Sequence, residues 1–217
     1  MPLEPGRALL SRAAAELGLP MSHVQIEQLL AYVALLVKWN RVYNLTAVRD
    51  PSDMLRQHVV DSLAALPPLM RHLSAGSGRI LDVGSGAGLP GLVWAIAAPA
   101  LSITCVDTVG KKASFMQQVV AELELPQARA VHGRVEDVSL GGFDVVTSRA
   151  FASLADFTTL TREHLGPTGA WLALKGRHPD DEIRALPAEI EVFHVEPLVV
   201  PGLDAERCLV WMRPRHR

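Results

Sequence analysis

The chain has little of several things that would have named a class at once. Two of its 217 residues are cysteine, and each sits in an apolar run, "SITCVD" around Cys105 and "RCLVWM" around Cys208. That placement argues against a disulfide framework or a thiolate metal site and fits buried free thiols in a reducing compartment. Long hydrophobic runs are missing: the longest, Leu29 to Val37, is nine residues, about half of a membrane span. The N-terminal stretch lacks an apolar segment followed by a small-residue cleavage site, so export is not expected. Charge of one sign is missing too. A formal net charge of -2 excludes a chain that coats nucleic acid through bulk charge, so any RNA contact has to be local. The eight histidines show no ligand spacing, and no metal is expected. A soluble, cytoplasmic, monomeric protein without membrane contact is the expectation.

What is present changes character near residue 75. The first part reads as helical: "GRALLSRAAAEL" and "SHVQIEQLLAYVALLVKWNRVY" carry apolar residues at spacings of three and four, with Ser22 placed as an N-cap. A further amphipathic stretch starts at Pro51-Ser52-Asp53 and is expected to stop at Pro67-Pro68. After the polar linker "RHLSAGSG", strand-like runs at 79–83, 101–107, 128–133, 143–148 and 169–176 alternate with helix candidates, which implies a parallel sheet covered on both faces. The runs 190–200 and 207–213 follow one another without a helix between them, so the sheet should end antiparallel. The division predicted is a helical extension over 1–75 and a doubly wound α/β domain over 76–217.

The sharpest motif is "ILDVGSGAGLPGL", a strand running into four glycines. A triphosphate loop needs Lys-Ser or Lys-Thr after the last glycine, and Gly91 is followed by Leu92-Val93. A dinucleotide fingerprint survives formally on Gly86, Gly88 and Gly91. The tighter pattern, Asp82-x-Gly84-x-Gly86-x-Gly88, resembles the first motif of class I S-adenosylmethionine-dependent methyltransferases. Asp107, ending the second strand, suits the ribose hydroxyls of either ligand. Val135 and Glu136, after the third strand, stand where methyltransferases flank adenine.

The acceptor is read after the fourth strand. That strand is followed by "SRAF" and not by the Asp/Asn-Pro-Pro-aromatic run usual in enzymes that methylate adenine amino groups. Cys105 lies within a strand and Cys208 on the last hairpin, so neither is placed as the covalent nucleophile that cytosine C5 needs. An acceptor with an exposed lone pair, such as guanine N7, needs neither device, although a small-molecule methyltransferase, a nicotinamide oxidoreductase or a donor-binding protein without turnover also remains open at this point.

Seven ordered motifs then narrow the choice. "KWNRVYNLTAVRD" (38–50), "HVVDSL" (58–63), "DVGSGAGLPG" (82–91), "VDTVGKKASF" (106–115), "GRVED" (133–137), "TSRAF" (147–151) and "LKG" (174–176) resemble, in this order, the bacterial RsmG family, also called glucose-inhibited division protein B. The resemblance spans nearly the whole chain, extension included. It implies an S-adenosylmethionine-dependent enzyme methylating N7 of a guanosine in the decoding-region stem-loop of 16S rRNA, within the 30S subunit or its precursor. Carried over, it places Gly84, Gly86, Gly88, Leu89, Asp107, Val135, Glu136 and Arg149 around the donor, Arg149 at the donor-acceptor junction, with no other catalytic group. For Arg149 an ion pair with Asp61 or Asp82 is the plain alternative to a contact with phosphate or base. Asn44, Arg56, His58 and Lys175 are candidate substrate contacts, within a basic rim that adds Arg49, Lys111, Lys112, Arg134, Arg177 and His178. The tail "RPRHR" (213–217) is a second candidate for RNA contact. Trp39 is expected in the core, and His58 and Asp61, three apart, as a hydrogen-bonded pair.

Overall fold

The computed structural model describes residues 3–149 and 151–215; Ala150 of the "SRAF" run and the last two residues of the "RPRHR" tail lie outside them. Helix α1 covers Leu3–Glu16 and α2 covers His23–Tyr43. Ser22 caps α2 reciprocally: its hydroxyl accepts the Gln25 N–H at 3.3 Å, and the Gln25 side chain accepts the Ser22 N–H at 2.8 Å. The apolar stripe Ile26, Leu29, Leu30, Val33 and Leu36 is buried, and Asn44 ends the helix in the left-handed region at φ 50.

The next rod is less regular than its apolar spacing implies. Helix α3 (Pro51–Met54) runs into a π-helical turn over Leu55–Val60 and then into α4 (Asp61–Ala64). It does not stop at Pro67-Pro68. Instead, α5 spans Leu66–Leu73 with the prolines in its first turn. A missing N–H costs nothing there, because first-turn donors have no acceptor within their own helix. The proline pair is a helix start, which corrects the sequence expectation.

The remainder forms a seven-stranded sheet. Its strands are β1 (Gly78–Val83), β2 (Leu101–Asp107), β3 (Ala128–His132), β4 (Phe143–Ser148), β5 (Leu165–Lys175), β6 (Ile190–Pro197) and β7 (Cys208–Pro214), in the order β3-β2-β1-β4-β5-β7-β6. The first five are parallel; β7 inserts antiparallel beside β5, and β6 pairs antiparallel with β7 at the edge. This is the doubly wound sheet with an antiparallel ending that the chain's pattern predicts. Helices α6 (Gly91–Ala97), α7 (Gly110–Glu122), α8 (Leu154–Thr161) and α9 (Asp180–Arg184) complete the layers. The strand order reverses between β1 and β4, the switch point at which sheets of this kind take ligands outside their strand C-termini.

The helical layer packs on one face of the sheet. Leu10, Leu29, Tyr32, Val59 and Leu63 share a single apolar cluster with Ile80, Leu92, Trp94 and Ile103, while Leu81, Val106, Val146, Phe157 and Trp171 fill the opposite face. Buried polar atoms tie the layers together. The Trp94 indole donates to the Ser62 carbonyl at 2.8 Å, and the fully buried Tyr32 hydroxyl donates to the Ala87 carbonyl at 2.8 Å. The second bond joins α2 directly to the glycine turn, so the helical layer helps to hold the site.

Candidate functional site

The turn after β1 is shaped by three residues with positive φ, Gly84 (67), Gly86 (61) and Gly88 (81), a region that side chains strain to enter. The glycines do different work. A Cβ on Gly84 or Gly86 would meet nothing within 4 Å, whereas one on Gly88 would strike Leu92 at 2.4 Å, and one on Gly91 would strike Cys105 Sγ at 2.7 Å and Asp82 Oδ2 at 2.8 Å. Gly84 and Gly86 therefore face open ground; Gly88 and Gly91 let α6 close onto the strands.

Carboxylates fix this turn from below. Asp82 is fully buried; its Oδ2 accepts the Gly91 N–H at 2.9 Å, its carbonyl accepts the Ser85 hydroxyl at 2.7 Å, and its Oδ1 has no hydrogen-bond partner among the described residues. Burial pushes its carboxyl up to about 7. Asp107 Oδ2 accepts the Gly86 N–H and its Oδ1 the Val109 N–H, both at 2.8 Å, with Lys112 Nζ at 3.9 Å. Each oxygen keeps a lone pair for a further donor such as a ribose hydroxyl. Leu89 is buried in the turn, and Val135 is buried at the head of a short 3-10 turn after β3, its carbonyl accepting from His164 Nε2 at 2.7 Å. Glu136 is held by Arg134 at 2.5 Å. Open ground over two glycines, a carboxylate with free lone pairs and an apolar shelf fit the sugar and adenine of S-adenosylmethionine. Gly84, Gly86, Asp107 and Val135 are residues that could hold it.

A cavity of about 290 Å³ lies beside this turn, over the ends of β4, β5 and β7, and not above the glycines. Gln57, His58 and Asp61 from the π-helical rod, Arg149 after β4, Leu174 and Lys175 at the end of β5, and Arg207 and Cys208 at the start of β7 line it. Asp61 is its organiser. Its Oδ1 accepts Arg207 Nε at 2.6 Å and its Oδ2 accepts Arg149 Nη1 at 3.4 Å, and Arg149 also donates to the Gln57 carbonyl at 3.3 Å. Arg149 thus makes the ion pair with Asp61, and not with Asp82, while standing in the cavity wall.

His58 does not pair with Asp61. Its Nε2 lies 2.8 Å from Thr46 Oγ1, and its Nδ1 has no hydrogen-bond partner among the described residues. The π-helical turn widens the backbone spiral, so residues three apart no longer stack as they do on an α-helix. Burial, and then the charge of Arg149, lower the His58 imidazole to about 4, so it is neutral at neutral pH. Burial also pushes the Cys208 thiol up.

The other sequence candidates scatter. Lys175 is in the cavity wall but engaged with Glu182 at 2.7 and 2.9 Å. Asn44 sits at the end of α2, its amide oxygen accepting from Arg49 at 2.7 Å. Arg56 lines a different hollow, against α1 and Pro201-Gly202, with Asp53 at 3.7 Å. Trp39 packs on Phe115, as expected of a core residue, with its indole N–H donated to Gln118 at 3.0 Å. Arg207, Gln57 and Tyr32 were not picked out from the sequence. A lone cation opening the last strand and a buried acid inside the apolar "HVVDSL" run were the available signals for the Arg207–Asp61 pair.

Residues 25–210 match the family described as rRNA small subunit methyltransferase G, GidB. A protein of Leptothrix cholodnii named ribosomal RNA small subunit methyltransferase G is 59% identical, with 98% of each chain covered. One of the same name from Acidovorax ebreus is 58% identical, with 94% of each covered. Among solved structures, TrmN from Thermus thermophilus aligns with a TM-score of 0.56 over 74% of this chain and 53% of its own at 17% identity, a likeness of fold alone. The seven-stranded order with its antiparallel ending is the class I S-adenosylmethionine-dependent methyltransferase fold. With the match running from α2 through the glycine turn and the cavity-lining segments into the start of the last strand, the chain belongs to the rRNA small subunit methyltransferase G family.

Proposed function

We propose that the chain methylates N7 of a guanosine in small-subunit rRNA, with S-adenosylmethionine as donor. The observation that carries this reading is the chemistry of the cavity wall. Asp61 has an arginine on each oxygen, the basicity of His58 is lowered, and the Cys208 thiol is held in its protonated form. Such a wall is ill equipped to deprotonate an amino group or to add a thiolate to a pyrimidine ring. The acceptor then has to bring its own lone pair, and guanine N7 has one.

When bound, S-adenosylmethionine supplies a methyl carbon made electrophilic by a positively charged sulfur. The chain's own task is to position and to balance charge. N7 takes the methyl group with no proton to remove, and the base becomes cationic. Arg149 is anchored by Asp61, and its remaining N–H groups serve guanine O6, since a donor on N7 would occupy the attacking lone pair. The same reading divides the chain into a helical extension over 1–75 and a donor-binding domain over 76–217, acting as a monomer in the cytoplasm on the 30S subunit or its precursor.

The test is transfer of labelled methyl groups to 16S rRNA and to 30S subunits from cells lacking this enzyme, followed by digestion to nucleosides. Label in 7-methylguanosine is expected. Label in any other nucleoside, or none in either acceptor while the donor binds, overturns the reading.

A further inference from the structure

The end of α2 carries a surface that neither the glycine turn nor the cavity uses. The exposed large apolar side chains among the described residues are Val24, Val42, Tyr43, Leu160 and Val199, and only Val42 (69% exposed) and Tyr43 (41%) adjoin. They are set among cations. Lys38, Arg41 and Val42 share one face of α2 at spacings of three and four, and both cations are exposed with no ion pair among the described residues. Arg49 folds back over the helix end but donates only to neutral acceptors, Asn44 Oδ1 at 2.7 Å and the Asn40 carbonyl at 3.3 Å. The adjacent acid, Asp50, caps α3 through the Ser52 and Asp53 N–H groups at 2.8 and 3.1 Å.

Helix α7 adds a further charge. Gln28 meets the Leu123 carbonyl at 2.9 Å and Trp39 meets Gln118 at 3.0 Å, so the two helices run in opposite senses and the start of α7 lies toward the end of α2. Lys111 is exposed there, again without an ion pair among the described residues. The Tyr43 ring is backed by Trp39 at 5.0 Å between centroids, and Trp39 is itself wedged against Phe115 at 5.7 Å. A half-exposed aromatic ring with firm support stands among unmatched positive charges on a chain whose formal net charge is -2. The patch is tied to the cavity wall by a short piece of chain. Thr46 follows Tyr43 by three residues, at most roughly 11 Å of chain, and its hydroxyl is 2.8 Å from His58 in the cavity wall.

We propose that this end of α2 is a docking platform for an unpaired stretch of RNA flanking the modified nucleotide: a base stacks on Tyr43, and phosphates lie against Lys38, Arg41 and Lys111. The inference rests on the rRNA reading above and adds the place where the strand is held. An unpaired strand is the occupant this chemistry suits, since it offers an exposed base face for the ring and closely spaced negative charges for the cations.

Tyr43→Ala should raise the KM for rRNA by roughly ten-fold, the scale of one base stacked on an aromatic ring, and Tyr43→Phe should restore it. The double variant Lys38→Ala, Arg41→Ala should flatten the plot of log affinity against log salt by about 1.4, as two lost single-strand phosphate contacts require. Donor affinity and melting temperature should stay at wild-type values in both. Wild-type KM and salt slope in these variants, or a Tyr43→Phe protein as impaired as Tyr43→Ala, overturn the platform while leaving the methylation reading intact. A wild-type enzyme that neither binds nor labels rRNA overturns both.

Discussion

Around the glycine turn, carboxylates hold backbone: Asp82 takes the N–H of Gly91, and Asp107 takes those of Gly86 and Val109. Around the neighbouring cavity, carboxylates hold other side chains: Asp61 takes Arg149 and Arg207, and Glu182 takes Lys175. The difference has a physical consequence. A backbone amide fixed by a buried carboxylate keeps its place whether or not a ligand is present, so the turn proposed to take the donor is preformed. A guanidinium or ammonium held by a carboxylate can exchange that partner for a phosphate or a base edge when RNA arrives. One half of the crevice is built to be rigid and the other to be re-paired.

Substitutions can break this contrast. The largest effect is expected from Arg149→Ala, which should lower turnover by roughly 10²–10³-fold, the cost of removing a donor from a reacting site, with donor affinity unchanged. A loss confined to donor affinity would place Arg149 on the wrong side of the comparison. Gly84→Asp should weaken donor binding at least roughly 100-fold, about 2.8 kcal/mol, because its side chain enters the open ground over the turn. Calorimetry showing wild-type donor affinity would contradict the placement of the ligand there.

Two stability measurements sharpen the comparison. His58 is depressed to about 4 in the folded chain and titrates near 6.5 when unfolded. Its neutral form therefore favours the fold fully above pH 6.5, and that contribution is lost as pH falls toward 4, by at most about 3 kcal/mol. His58→Asn should show a shallower fall in melting temperature between pH 6.5 and 5 than the wild type; parallel curves would mean that burial does not set its charge. The smallest effect belongs to Gly91→Ala. It should destabilise by about 1–3 kcal/mol, since the new methyl meets Cys105 Sγ at 2.7 Å and Asp82 Oδ2 at 2.8 Å, and denaturant unfolding would measure it.

The geometry of the glycine turn was largely legible in the sequence because its determinants are contiguous. Asp82 to Gly91 is one motif, Asp107 ends a strand marked by Ile103, Thr104 and Val106, and Val135 follows soon after the next strand. The cavity was legible only in part: Arg149, His58 and Lys175 were candidates and the Arg149–Asp61 pair was an alternative, but the contacts that assemble them join distant segments. Asp61 and Arg207 meet across 146 positions of chain, and no local spacing encodes that. Two local errors have local reasons. Pro67-Pro68 reads as a stop unless the first turn of a new helix begins there, and His58 and Asp61 look like helix neighbours only if the turn between them is α-helical, which it is not. The placement of Arg56 away from the cavity follows from that same rod, whose faces the sequence pattern does not reveal, whereas Asn44 is taken up in ending α2.

The most direct test of the central claim is to remove the proposed acceptor atom alone. 16S rRNA carrying 7-deazaguanosine, in which N7 is replaced by carbon, would be offered to the enzyme with labelled donor, assembled with small-subunit proteins if naked RNA is not a substrate. The account predicts that this RNA binds with the affinity of its unmodified counterpart and takes up no label. Methyl transfer to the 7-deaza RNA at the rate seen with guanosine would contradict it.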